Sequence, residues 1–314
     1  MTMRLAAPLA VALAVALAVA LLLSAGGRAA GQEVGDPVLV GAGDIADCNS
    51  KYDEKTANLL EGIDGTVATL GDNAYEDGTL KEYNDCYDPT WGQFKARTMP
   101  SLGNHEYYTA DASGYFDYFS ETSTTPPVVS PVPNTGKNFG LTPGKGYYSY
   151  DLGSWHVVVL NSNCEEVGCE ADSDQGKWLE ADLADHPSKC TLAYFHHPRF
   201  SSSGFGDDGI DDSAVEPFWE ALYDADADVV LNGHRHNYER FAPQTPDGVA
   251  DSAKGIREFV VGTGGEKLTA FKSTADNSEV GNASTYGVLK LTLQDLPEGC
   301  KNLVLDMYQK MWNL

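Results

Sequence analysis

The chain has 314 residues and a formal net charge of −25, from 21 Lys and Arg against 46 Asp and Glu. A surface this acidic repels nucleic-acid backbones, so DNA or RNA binding is disfavoured, and a phosphate-bearing ligand would need a local cationic centre to be held. With 42 % hydrophobic residues the composition is that of an ordinary globular protein, and the length suits one large α/β domain.

The N-terminus carries Arg4, then an Ala/Val/Leu stretch from Leu5 to Leu23 with Pro8 near its start, then small and polar residues to Ala30. This order, with Gly27-Arg28-Ala29 as a small-x-small cleavage site, reads as a secretory signal peptide over residues 1–29. An uncleaved anchor is the competing reading, because the apolar run is long enough to span. No second long apolar run follows, so the mature chain is expected to be soluble and secreted. The six cysteines suit an exported chain with disulfides and contain no CxxC spacing. Fifteen pairings are formally possible among the six cysteines. Cys164 with Cys169, which bracket a short loop, is the first expectation. Cys48 with Cys86 is the second, and Cys190 with Cys300 is what remains.

Pro37 to Gly41 is a short apolar strand ending at Asp44. Asp53 to Ile63 reads as a helix with Asp53 as its N-cap and with Leu59, Leu60 and Ile63 on one face. Thr66 to Leu70 is the next buried strand, and strand, helix, strand in this space suggests a βαβ unit. Trp91 and Phe94 are expected to pack. Residues 120–145, rich in Ser, Thr, Pro and Gly, read as a long loop or lid. Tyr147–Leu152 and Trp155–Leu160 flank Gly153-Ser154 as a hairpin. Asp172–Asp185 reads as a helix with a capping box from Asp172 to Gln175, and Ser213–Tyr223 as another from Ser213 to Glu216. Strands are expected at Thr191–Phe195, Val229–Leu231, Glu258–Val261 and Tyr286–Leu293. His156 and His186 are assigned to structure.

Five segments follow strand-like runs and present metal-type ligands: Gly43-Asp44-Ile45-Ala46, Gly71-Asp72-Asn73-Ala74-Tyr75, Gly103-Asn104-His105-Glu106, Ala193-Tyr194-Phe195-His196 and Gly233-His234-Arg235-His236. Each alone has a plain structural reading. Asp44 and Asp72 could cap helices, Asn104 could be a turn residue, and Glu106 could be a surface charge. Together they offer carboxylates, a phenol, an amide and imidazoles, the donor set of two adjacent cations with one carboxylate shared. Their place beyond strand C-termini is where open α/β sheets put their sites. Glycine ahead of the ligand residue is expected to permit the tight turn.

On these segments the chain resembles the calcineurin-like metallophosphoesterases, and within them the purple acid phosphatases, over about Val38 to Gly265. The most specific parts are Gly71-Asp72-Asn73-Ala74-Tyr75 and Gly233-His234-Arg235-His236-Asn237-Tyr238-Glu239-Arg240. Most relatives outside the purple group carry Asp-x-His in the first segment. Here that histidine is replaced by Ala46, and Tyr75 stands where the purple group has its tyrosine.

The resemblance implies a four-layer α/β/β/α metallophosphatase sandwich over residues 35–295, with 296–314 as a divergent or truncated tail. It implies a ferric site from Asp44, Tyr75 and His236, and a divalent site for Zn²⁺, Mn²⁺ or Fe²⁺ from Asn104, His196 and His234. Asp72 would bridge them. A hydroxide held by the metals would attack phosphorus in line. His105, oriented by Glu106, would bind phosphate or protonate the leaving oxygen, and His197 and Arg199 could touch phosphate. The implied activity is hydrolysis of phosphate monoesters. A phosphodiesterase on the same site, or a non-catalytic secreted phosphate- or metal-binding protein, is the alternative. The partners are small phosphate esters. The histidine cluster that some plant members place after the fourth segment is absent.

Overall fold

Val38–Ala42 (β1) and Thr66–Leu70 (β2) are buried on both faces, apart from a partly covered Val38, so each must have a layer above and below it. The computed structural model describes residues 36–120, 144–187, 190–203, 213–294 and 300, and the backbone of 304–309. The expected signal peptide and nearly all of the expected 120–145 loop lie outside the described residues. Asp36–Leu314 forms a unit of its own.

In chain order, β1 is followed by helix α1 (Tyr52–Leu60), β2, β3 (Thr98–Ser101), α2 (Ser113–Ser120), β4 (Tyr148–Leu152), β5 (Trp155–Val159), α3 (Asp174–Asp185) and β6 (Cys190–Tyr194). Then come α4 (Glu216–Asp224), β7 (Val229–Asn232), β8 (Tyr238–Phe241), β9 (Arg257–Val261), β10 (Ser278–Asn282), β11 (Gly287–Thr292) and β12 (Val304–Gln309). One sheet has the order β12-β11-β1-β2-β3 and the other β10-β8-β9-β7-β6-β5-β4. β1, β2 and β3 are parallel, as are β5, β6, β7 and β9. The βαβ unit and the hairpin around Gly153 are therefore present. β12, from the 296–314 tail, pairs antiparallel with β11.

Side-chain alternation sorts the layers. Leu39, Ala68 and Leu70 of the first sheet and Leu231 and Val261 of the second line one shared space. The alternate residues of the second sheet, Val158, Ala193, Phe195 and Val230, pack instead with Leu179 of α3 and Phe218, Trp219 and Leu222 of α4. Ala57 and Leu60 of α1 are buried in the same cluster as β1 and β2. The result is the expected four-layer α/β/β/α sandwich. Among the described residues no helix is long and apolar enough to cross a membrane.

All three cysteine pairs form as expected: Cys48–Cys86, Cys164–Cys169 and Cys190–Cys300. Trp91 is fully buried and Phe94 packs against the core. The helix starts differ from expectation. Asp53 lies inside α1, not at its cap, and its carboxylate accepts from Thr90 Oγ1 at 3.0 Å. α3 is capped by Ser173, not Asp172, and Gln175 turns inward to bond both Asn161 N and Asn161 O at the end of β5. α4 begins at Glu216 after a 3₁₀ turn with no side-chain cap.

His156 and His186 are structural, and the geometry shows how. The His156 ring is buried, with Nδ1 3.0 Å from Asp151 Oδ1 and Nε2 2.8 Å from Asp182 Oδ2. The His186 ring stacks on it at 4.5 Å and 9°. Nearly parallel rings aim their in-plane lone pairs side by side, so one ion could not sit in both planes. The arrangement is that of a proton-sharing ion pair. Burial works to lower the His156 pKa, but the two carboxylates outweigh it and raise it, while Asp182 is held below the usual range against its own burial.

The sign of the pH effect follows. The His156 contribution is complete below its unfolded pKa of about 6.5 and is lost as pH rises through the raised folded value. Seen from Asp182, the same interaction is lost only as pH falls through that group's lowered value. His156→Gln is therefore expected to cost about 1.5–3 kcal/mol near pH 5.5 and distinctly less near pH 9, by denaturant midpoints. Equal losses at both pH values would contradict the ion-pair assignment.

Candidate metal centre

Every ligand segment leaves the C-terminal end of a parallel strand, and the two sheets bring these ends to one edge. The loops after β1 and β2 run side by side: Asp44 N, Ile45 N and Ala46 N donate to Gly71 O, Asp72 O and Asn73 O at 2.9–3.1 Å. The turns themselves are made by the ligand residues. Asp44, Asp72 and His234 have φ of 59°, 49° and 65°. Asp and His tolerate this left-handed conformation better than β-branched residues do. The neighbouring glycines are needed mainly for space. A Cβ on Gly103 would stand 2.1 Å from Asp72 Oδ1, and one on Gly233 would stand 2.8 Å from Asp44 Oδ2. This corrects the expectation that the glycines supply the turn at Gly43, Gly103 and Gly233, whereas Gly71, at φ 84°, does bend its own loop as expected.

The seven expected ligand residues converge. Tyr75 OH lies 3.0 Å from Asp44 Oδ1, 3.0 Å from Asp72 Oδ2 and 3.3 Å from His236 Nε2. His236 Nε2 lies 3.1 Å from Asp44 Oδ1. On the other side Asn104 Oδ1 lies 3.1 Å from both His196 Nε2 and His234 Nδ1. His196 Nε2 is also 3.1 Å from Asp72 Oδ2. Asp72 Oδ2 is thus the atom common to two donor groups. Ala46, at the place of the missing histidine, pairs with Ala74 next to Tyr75, and both Ala46 and Tyr75 are buried.

Backbone carbonyls orient the rings. Leu70 O takes His196 Nδ1 at 2.8 Å and Lys267 O takes His236 Nδ1 at 2.9 Å, turning Nε2 of each toward Asp72 and Asp44 as the candidate donor nitrogen. His234 presents Nδ1 instead. Oxygen donors with imidazoles at this spacing suit a pair of hard or borderline cations, so the donor set fits a dinuclear centre.

The remaining expected residues divide. His105 flanks the centre, with Nε2 3.9 Å from Asp72 Oδ2 and its ring 4.4 Å from that of Tyr75. His197 flanks the other side, its ring 4.4 Å from that of His234 and its Nδ1 2.8 Å from Ser162 Oγ. Glu106 does not orient the His105 ring, whose Nδ1 meets Glu76 O at 2.5 Å. Glu106 is fully buried and accepts from Asp72 N, Asn73 N, Gly103 N and Tyr83 OH at 2.7–3.0 Å, clamping the loops after β2 and β3. Arg199 directs its guanidinium to Glu216 at 3.3 Å and packs over Phe200, so it ties α4 to the loop after β6. Glu239 of the fifth segment holds that same loop through Ser202 N at 2.8 Å.

The sequence reading did not single out Ser162 or Arg235. Arg235 is 4 % exposed between two ligands, and that position was the available signal. Its charge acts on both His197 and His234, after burial and the neighbouring imidazoles. Burial first, and then cationic His196, push His197 down to about 3. His234 is likewise pushed well below its usual value. Burial would lower His196 and His236 too, but Asp72 and Asp44 outweigh it and raise each to about 9. Burial and the same two carboxylates push the Tyr75 phenol well above 10.

Cation binding must therefore expel protons. With His196 and His236 each raised to about 9, ligation by these imidazoles would require them to give up protons at pH 7, so apparent affinity is expected to rise with pH toward about 9. Tyr75 adds a further proton if it ligates as phenolate. Calorimetric loading at pH 7 in buffers of different ionisation enthalpy should show proton release, with about one proton fewer for Tyr75→Phe. Loading without proton release would contradict the assignment of these imidazoles as ligands.

The family model described as calcineurin-like phosphoesterase matches residues 28–238. Purple acid phosphatase 22 of Arabidopsis thaliana is 26 % identical over 229 residues, 68 % of this chain and 49 % of that protein. Purple acid phosphatase 21 of the same plant is 33 % identical over 175 residues, 51 % of this chain and 37 % of that protein. The chain thus spans half or less of the length of these relatives. The structure of purple acid phosphatase PPD1 from yellow lupin (Lupinus luteus) seeds superposes with a TM-score of 0.61 at 21 % identity, over 87 % of this chain and 51 % of that one, which is a likeness of fold. By the family model's extent and the ligand segments it covers, the chain belongs to the calcineurin-like phosphoesterase family, with purple acid phosphatases among its relatives.

Proposed function

We propose that this chain is a secreted, metal-dependent phosphatase acting on small phosphate monoesters. The observation that carries the reading is Asp72 Oδ2, held between the Asp44–Tyr75–His236 group and the Asn104–His196–His234 group. Two cations bound there would neutralise phosphoryl oxygens and make a nucleophile available near neutral pH. Tyr75, with two carboxylates around its oxygen, favours a trivalent ion such as Fe³⁺ in the first group, and the amide and imidazoles favour Zn²⁺, Mn²⁺ or Fe²⁺ in the second. His105 would bind phosphate or act on the departing oxygen. Its Nδ1 is taken by the Glu76 carbonyl and Nε2 remains for the substrate side. His197 is anchored by Ser162 and lines the opposite wall as a neutral ring. Export is supported by the leader-like N-terminus and the three disulfides, which persist in oxidising compartments.

Asp72→Asn and His234→Ala are each expected to lower bound metal and to cut hydrolysis of an aryl phosphate by more than about 100-fold. The corresponding diester should be the poorer substrate of the wild type. Full activity with two metals retained in either variant, or a diester preference, would refute the assignment it tests.

Tyr75→Phe separates the metal assignments. A ferric phenolate gives a visible charge-transfer band, so iron-loaded protein should be violet and the variant colourless, with iron lost more readily than the divalent ion. A colourless, fully active wild type indifferent to Tyr75→Phe would place two divalent ions in the site.

A further inference from the structure

The 3₁₀ turn His105–Tyr108 that follows Asn104 carries a second aromatic beside the centre. Tyr108 is 62 % exposed, yet it is held at both ends. Its ring lies 4.8 Å from the His105 ring at a tilt of 59°, and its hydroxyl accepts from Asn104 Nδ2 at 3.4 Å. The amide that turns its oxygen to His196 and His234 therefore turns its nitrogen to Tyr108. With Tyr75–His105 at 4.4 Å, three rings run in a row from the buried phenol to an open face. A solitary exposed aromatic is ordinary on a protein surface. One tethered to a candidate metal ligand, next to the imidazole proposed to act on the departing oxygen, would stand beside the leaving group on that reading.

The chain's charge restricts what that group can be. A net charge of −25 repels a leaving group with further phosphates or carboxylates, whereas an uncharged planar ring gains stacking area on a fixed aromatic. We propose that Tyr108, backed by His105, is a stacking platform for the ring of the substrate's leaving group. Aromatic phosphomonoesters, whether simple aryl esters or nucleoside monophosphates, are then preferred over alkyl ones. The proposal rests on the phosphomonoesterase reading and adds a specificity residue to it.

The test uses metal-loaded full-length protein and has a binding arm and a turnover arm. Phenylphosphonate is expected to bind the wild type more tightly than methylphosphonate. That preference should collapse by about 5- to 100-fold in Tyr108→Ala and survive in Tyr108→Phe, which keeps the ring and loses only the hydroxyl. In parallel, the kcat/KM of phenyl phosphate and of adenosine monophosphate, each relative to glycerol 2-phosphate, should fall in Tyr108→Ala, mainly through KM. A fall confined to the nucleotide assigns the platform to nucleotides, and one confined to phenyl phosphate assigns it to simple aryl esters. Both support it. Equal binding of the two phosphonates to the wild type, or a preference that Tyr108→Ala leaves intact, overturns the proposal. A wild type that shows the binding preference but hydrolyses no ester removes the phosphatase reading and leaves the platform standing.

Discussion

The arrangement of the centre depends on one buried carboxylate that faces no ligand atom. Glu106 gathers three backbone N–H groups and the Tyr83 hydroxyl from segments far apart in sequence. Those bonds fix the loop of Asp72 against the loop of Asn104. Burial and the nearby Asp72 charge push the Glu106 pKa up, and the bonds from Gly103 N, Asn73 N and Tyr83 OH work against that shift. A buried charge is tolerated only when hydrogen bonds replace its water, and here the replacement comes from the loops that must be aligned. Asp72 is then aimed so that one oxygen accepts from His105 N and the other stands between the two donor groups.

Around this clamp the packing leaves little freedom. Three ligand residues adopt left-handed backbone, and side chains reach across glycines that no larger residue could replace without displacing a carboxylate. Strain of this kind persists only where the surroundings over-determine it. The surroundings here are the two sheets, whose shared core sets the distance between the strand ends. The acidic surface plays no part in this geometry. Its effect is on what approaches, and it leaves attraction of phosphate to a local cationic centre.

Much of this was legible in the sequence because it repeats. Strand runs ending at Asp44, Asp72, Asn104, His196 and His234 mark the same edge five times, and the apolar runs mark strands buried on both faces. The exchange of histidine for Ala46 and the presence of Tyr75 were readable as a pair, and the structure puts the phenol between Asp44 and Asp72. What was not legible depends on single bonds. Asp172 and Ser173 are both competent caps, and only the position of Gly176 N decides for Ser173. Glu106 looked like a partner for its neighbour His105, but its donors arrive from 23 to 34 residues away as well as from Gly103. Arg199 follows His196 in sequence, and its contact with Glu216 of α4 could not be read from that spacing.

The division of donors between the sheets has its own consequence. Asp44, Asp72, Tyr75 and Asn104 follow strands of the first sheet and offer only oxygen, while His196, His234 and His236 follow strands of the second and offer only nitrogen. Neither sheet alone holds a mixed donor set, so each coordination sphere closes only across the seam between them. The oxygen donors also lie earlier in the chain. During synthesis the nascent polypeptide would carry the oxygen donors first, and the imidazoles would arrive last. Any ion held by both kinds of donor would then have to wait until the two sheets meet, so loading of the centre would report their docking.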